Sequence, residues 1–160
     1  MDAGAAGGRS LRRWAARRAG RHEPRGRGAA DGHQFGRPIA EFQGVQWMLA
    51  DMSIQLAGAQ ALIYKAAANA GDGFPNKLEA AQAKVFAADT GVRVTNDALQ
   101  IFGAMGYSRN LALERKVRDA RMFPIAGGTA QILRTQVAGS ILGMRTPQSR
   151  DGYSKTRAGD

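Results

Sequence analysis

The sequence contains no cysteine, which removes disulfide scaffolds, thiolate metal sites and thiol nucleophiles together. It has two histidines, His22 and His33, too few for a histidine metal cluster, so no metal site is expected. No run approaches the roughly 18 uninterrupted apolar residues that a membrane span requires. Aromatic residues make up 7 % of the chain and prolines number five. The hydrophobic share of 44 % and charged share of 22 % are ordinary for a globular chain. At 160 residues the chain has room for one hydrophobic core. These features predict a domain of a reducing compartment, the cytoplasm, whose chemistry comes from a cofactor or from carboxylates.

The net charge of +10 is unevenly placed. Residues 1–31 hold eight arginines against Asp2, Glu23 and Asp31, so this short head carries half of the excess. Between Met1 and Gly32 nearly every residue is Ala, Gly or Arg, with Leu11 and Trp14 the large apolar side chains after the initiator. Ser10 could cap a short helix from Leu11 to Ala19, and the breaker-rich stretch that follows is expected to be loop. A nucleic-acid arm, a membrane-surface helix and an organelle transit peptide each fit this composition, as does a disordered tail. The remainder is only mildly basic, and no nucleic-acid partner is expected for it.

From Arg37 onward the apolar period is helical. Ile39, Phe42, Val45, Leu49, Met52, Leu56, Ala59, Ile63 and Ala66 form one stripe, predicting a helix from about Pro38 to Ala70. A second helix is expected from Pro75 to Phe102, with its stripe on Leu78, Ala81, Val85, Ala88, Val92, Thr95, Leu99 and Phe102 and a stop at Gly103. A third covers about Leu111 to Phe123 and ends before Pro124. A fourth, capped by Thr129, is expected to bury Ile132, Leu133, Val137, Ile141 and Leu142 before Gly143. No strand pattern stands out. The predicted fold class is all-α: an antiparallel up-and-down four-helix bundle with long helices, over residues 33–145. Residues 146–160 read as a loose polar tail.

Three segments carry chemistry: QFGRPIAEFQ (34–43), DALQIFGAMGY (97–107) and RDARMFPIAGGTAQILR (118–134). A glycine turn at a helix N-terminus presents unpaired N–H groups and suits phosphate or another anion. For each segment on its own, a glycine C-cap or plain interhelical turn is the better explanation. Taken in order with LADM (49–52) and AAQAKVFA (80–87), they resemble the C-terminal helical domain of the acyl-CoA dehydrogenases across Gln34–Leu142.

That resemblance implies an FAD-dependent oxidoreductase that oxidises an acyl-CoA thioester to the 2,3-enoyl-CoA and passes electrons to an electron-transferring flavoprotein. It also implies a homo-oligomer, a dimer of dimers assembled through this bundle. The cofactor-binding residues it implies are Gln34 and Phe35 towards the flavin pyrophosphate of a neighbouring subunit, and Gln100 and Gly103 towards the adenosine-diphosphate part across the dimer. Gly128, Thr129 and Gln131 are implied to meet FAD as well. Three positions depart from the family pattern. Gly32 stands where an arginine is expected, removing a bidentate phosphate partner. Ala104 replaces the second glycine after Gln100. Gly127 occupies the usual position of the glutamate base, so no catalytic residue is assigned. Relatives that carry the base elsewhere place it upstream, near the extreme N-terminus here, where Asp2 and Glu23 are not credible substitutes.

Residues 1–32 match nothing in that pattern, and their composition is what a GC-rich gene encodes when read out of frame. The head is therefore expected to be disordered or non-native, and the chain a fragment that is inactive alone. The alternative expectation is a non-catalytic helical oligomerisation or interaction module.

Overall fold

The computed structural model describes residues 32–70 and 73–146. The basic head, with its expected Leu11–Ala19 helix, and the tail beyond Thr146 lie outside the described residues. Element order is a small hairpin, β1 (His33–Gln34) and β2 (Arg37–Pro38), then α1 (Gln43–Ala68), α2 (Lys77–Phe102), the single turn α3 (Ala104–Tyr107), α4 (Leu113–Ala120) and α5 (Ala130–Leu142). Four helices of more than one turn thus make the expected helical fold. Two are long, 26 residues each or about 39 Å.

The hairpin corrects the expectation that no strand occurs. His33 pairs with Pro38 and Gln34 with Arg37, leaving Phe35-Gly36 as a two-residue turn. Both turn residues have positive φ, 54° and 77°, the sense that matches the twist of a hairpin. Its strands are too short to show alternation in the sequence. The Ile39 N–H closes the motif on the Gly32 carbonyl at 2.7 Å. Because Pro38 is held in the hairpin and Ile39–Glu41 form a 3₁₀ turn, α1 begins at Gln43 rather than Pro38.

The other helix ends follow local chemistry. The Asn76 side chain accepts from the Leu78 and Glu79 N–H groups, so α2 starts at Lys77, two residues past Pro75. Thr129 caps α5 through Ile132 N–H, as expected, and Gly143 ends it with φ of 65°. The third helix is shorter than expected. Its expected last residues, 121–123, form i→i+3 and i→i+4 turns leading into buried Pro124.

The long helix α2 is the hub, packing against α1, α4 and α5. It buries two faces. Ala81 and Ala88 lie on one, continuous with Val92 and Leu99 beside α4. Ala83, Thr90, Val94 and Ile101 lie about 200° round the helix. There Val94 and Ile101 meet Met52 of α1, with Ile39, Val45, Met48, Leu49, Leu56 and Ala98 around them. The second of these faces was not in the expected stripe, because a helix buried on two sides has a weak period.

Contacts fix the directions. Asn69 and Lys65 at the end of α1 meet Glu79 at the start of α2, while Ile39 and Val45 pack near Ile101 at its end, so α1 and α2 are antiparallel. Lys84 near the start of α2 reaches the Phe123 carbonyl after α4, and Arg134 of α5 pairs with Asp89. The order is therefore up, down, up, down, with α5 running parallel to α2. The outer faces are less covered than expected: Ile141 and Leu142 are 69 % and 66 % exposed, and α5 instead buries Ala130 and Gly139. This follows from its having α2 alone among the helices as a substantial neighbour. Ile63, expected in the core, is half exposed, and Trp47 and Ile54 stand on the outer side of α1. No helix among the described residues is long and apolar enough to cross a membrane.

Candidate functional site

The seven expected binding residues fall into two groups. Gln34 and Phe35 are on the hairpin, Gln100 ends α2, and Gly103 is its cap. All lie at the end of the bundle where α1 begins. Phe35 is 92 % exposed, with positive φ, its ring edge-on to Phe42 at 6.3 Å. Arg37 covers the same Phe42 ring at 4.1 Å, so the turn rests on a small aromatic-cation stack. A left-handed non-glycine residue costs free energy, and an exposed aromatic there gains little burial in return. Gly103 has φ of 59°, and a side chain there would meet open space.

Gly128, Thr129 and Gln131 form the second group, on the elbow that opens α5. The Gly128 carbonyl accepts a 2.7 Å hydrogen bond from Lys84 Nζ, which places the elbow beside the early part of α2. Gln100 lies 16 residues further along α2, a separation of roughly 24 Å at 1.5 Å per residue. One chain does not bring Gln100 and Thr129 together.

At the elbow, φ is 68° at Gly127 and 87° at Gly128. The space beyond Gly127 is open, yet its backbone sits where an L-residue is strained. The backbone alone therefore favours glycine at position 127. The Thr129 Oγ1 accepts from Ile132 N–H at 3.2 Å, and the Ala130 N–H closes the loop on Pro124 O at 2.8 Å. Cap and elbow roles coexist in Thr129.

Three features were missed in the sequence. Lys84 clamps the elbow through two carbonyls. The half-exposed Asp89–Arg134 pair bridges α2 and α5. A groove of about 710 Å³ runs between α2 and α4, walled by Arg93, Arg118, Arg121, Tyr107 and Glu114, and contains none of the seven expected residues. A lysine within AAQAKVFA reads as a helix surface residue, and only the fold shows that it reaches residues 39 and 44 positions away.

By architecture this is an all-α domain whose central helix carries a glycine-bounded polar group at each end. The family described as "Acyl-CoA dehydrogenase, C-terminal domain" matches residues 11–142, taking in the hairpin, all five helices and part of the basic head, and the chain belongs to that family. A 3-sulfinopropanoyl-CoA desulfinase of Variovorax paradoxus is 65 % identical over 126 residues, covering 79 % of this chain and 31 % of that protein. A short-chain-specific acyl-CoA dehydrogenase of Clostridium acetobutylicum is 41 % identical over 108 residues, 68 % of this chain and 28 % of that protein. Among solved structures, butyryl-CoA dehydrogenase from Megasphaera elsdenii superposes with a TM-score of 0.68 at 36 % identity, over 82 % of this chain and 33 % of that one. The chain spans about a third of the length of the curated relatives it matches.

Proposed function

We propose that this chain is the helical C-terminal part of an FAD-dependent enzyme acting on an acyl-CoA thioester, and that its two polar groups serve two different FAD molecules. The observation that carries this reading is the roughly 24 Å of α2 between Gln100 and the Lys84-held elbow. Groups so far apart cannot grip one end of a single dinucleotide. Paired with a second copy, the hairpin end of one chain and the elbow of the other would hold different parts of the same cofactor.

The residues present fit such a group. Exposed Phe35 offers a ring face, and the open backbone at Gly103 and Gly127 allows close approach. At the start of α5 the Ala130 and Ile132 N–H groups are taken by Pro124 O and Thr129 Oγ1, which leaves the Thr129 and Gln131 N–H groups to serve an anion. Gly32 and Ala104 leave the phosphate end more dependent on backbone donors than the family pattern does. Bound FAD would supply a two-electron acceptor and donor beside the thioester. Gln100 and Gln131 would hydrogen-bond its polar edge, and Thr129 would both cap α5 and donate its hydroxyl proton outward. The assembly we propose is a homo-oligomer, a dimer of dimers, and the uncovered side of α1 around Trp47 and Ile54 supports it.

For substrate we favour a 3-sulfinoacyl-CoA. Four desulfinases of that name are 64–67 % identical to this chain, against 41–42 % for the acyl-CoA dehydrogenases. Cleavage of a carbon–sulfinate bond gives the acyl-CoA and hydrogensulfite: carbon takes a proton and sulfur a hydroxyl from water, with no net oxidation. Such a reaction requires no electron-transferring flavoprotein, and an enzyme for it can have glycine at 127. The second reading is dehydrogenation to the 2,3-enoyl-CoA with an electron-transferring flavoprotein as acceptor, supported by the likeness to butyryl-CoA dehydrogenase. It requires a base from outside the described residues.

The test is a chimera in which the corresponding last third of the Variovorax paradoxus desulfinase is replaced by residues 33–145 of this chain. We expect a yellow protein that releases sulfite from 3-sulfinopropanoyl-CoA and does not reduce a dye with butyryl-CoA. Dye reduction without sulfite would favour the second reading. A colourless, folded chimera would overturn both.

A further inference from the structure

The Gly127-Gly128-Thr129 elbow has two glycines with positive φ and no described backbone acceptor for the N–H groups of residues 127 and 128, yet it must present its donors in one direction. Glycines impose no such direction, since each populates many conformations at similar cost. The Ala130 N–H bond to the Pro124 carbonyl closes the loop, and a contact from outside it holds the Gly128 peptide. Lys84 makes that contact: its ammonium donates to the Phe123 carbonyl at 2.9 Å and to the Gly128 carbonyl at 2.7 Å, spanning the two sides of the loop.

We infer that Lys84 is a positioning residue, which aims and polarises the Thr129 N–H for an anionic or carbonyl acceptor at the elbow; this rests on the flavin-binding reading of that elbow. The argument is stereochemical. Gly128 C=O and Thr129 N–H belong to one peptide unit, and the chain has no cis peptide among its described residues. In a trans unit the two bonds point in opposite directions. A carbonyl drawn towards Lys84 therefore turns the Thr129 N–H away from α2 and out of the bundle.

No described backbone carbonyl receives that N–H. The Thr129 hydroxyl accepts from Ile132, so its own proton remains to donate in the same region. A positive charge on the carbonyl also draws electron density from the amide, which makes the N–H a stronger donor. A lysine that merely capped the end of α4 would need the Phe123 bond alone. The shorter bond goes to Gly128.

The experiment uses the full chain, labelled with nitrogen-15, without flavin, and the variants Lys84→Met and Lys84→Arg. Met keeps the stem and the helix propensity but removes the charge, whereas Arg keeps a forked cation. In Lys84→Met, the amides of Ala130, Ile132 and Leu133 should exchange about tenfold faster, as expected for one lost charge-assisted bond. Those of Met52 and Val94 should change by less than about twofold, since they report the α1–α2 core. The Thr129 amide proton should move upfield, and Lys84→Arg should restore most of both effects.

Unchanged elbow exchange and an unchanged Thr129 resonance would overturn the assignment. So would faster exchange with no movement of Thr129 and no rescue by Arg, which would leave Lys84 as a cap of α4. Should Lys84→Met fail to fold, the unsubstituted chain decides: protected Lys84 ammonium protons support the clamp, and freely exchanging ones refute it. Failure of the flavin reading shows separately, as a Thr129→Val chimera that retains flavin with unchanged affinity.

Discussion

A Cβ added at Gly106 would stand 2.7 Å from the carbonyl oxygen of Leu99 and 2.8 Å from the Cβ of Phe102. Gly106 is buried in the single turn α3, which folds back on the end of α2 immediately after Gly103. The close approach fixes where the chain turns from α2 towards α4, and so where Gln100 and Gly103 are presented. Both contacts involve atoms near the backbone, which cannot swing aside.

Gly106→Ala is therefore expected to destabilise the domain by about 1–3 kcal/mol, the usual cost of overpacking. Gly103→Ala meets open space, but φ of 59° with ψ of −143° is a backbone conformation that L-residues avoid, and it should cost about 1–3 kcal/mol from strain alone. Thermal unfolding of the two variants checks this, and a variant as stable as the parent chain would show that the turn relaxes freely.

Gly127→Glu supplies the carboxylate that the resemblance implies at this position, but at a backbone angle that opposes it. The expected stability loss is about 1 kcal/mol, with no gain of dye-coupled acyl-CoA oxidation when the substitution is made in the chimera. A large gain of oxidation would show that this backbone adapts to a side chain and that glycine here is a simple deletion of the base.

The outer face of α1 carries Trp47 at 62 % and Ile54 at 67 % exposure, seven residues apart and so on one side of the helix. Such a face favours association. The chain should sediment as an oligomer, and Trp47→Lys with Ile54→Lys should shift it towards monomer while leaving the helical circular dichroism intact. A chain already monomeric before substitution would remove the support this face gives to the proposed assembly.

Much of the fold was legible because several signals are local. Thr129 and Gly143 bracket α5 where capping chemistry puts them, and Gly103 ends α2. Helix starts were less clear where a hairpin or a side-chain cap intervened, as at Pro38 and Asn76. The inward and outward faces of α5 were misjudged at Ile141 and Leu142, since amphipathic period reports what a helix packs on in its full assembly and not which neighbour is present. At the candidate site, the glycines and glutamines were readable as motifs. Their separation along α2, and the Lys84 clamp that defines it, depended on pairings 39 and 44 residues apart that no periodicity encodes.

The most direct measurement is subunit complementation in the chimera. One tagged chain carries Phe35→Asp with Gln100→Glu, which places carboxylates at the phosphate end; the other carries Thr129→Glu with Gln131→Glu at the elbow. Homo-oligomers of either should lose flavin. Hybrids purified through both tags should recover flavin in half of their sites, because one hairpin end and one elbow, from different chains, remain unaltered together. Hybrids as colourless as either parent would contradict a cofactor shared between two copies.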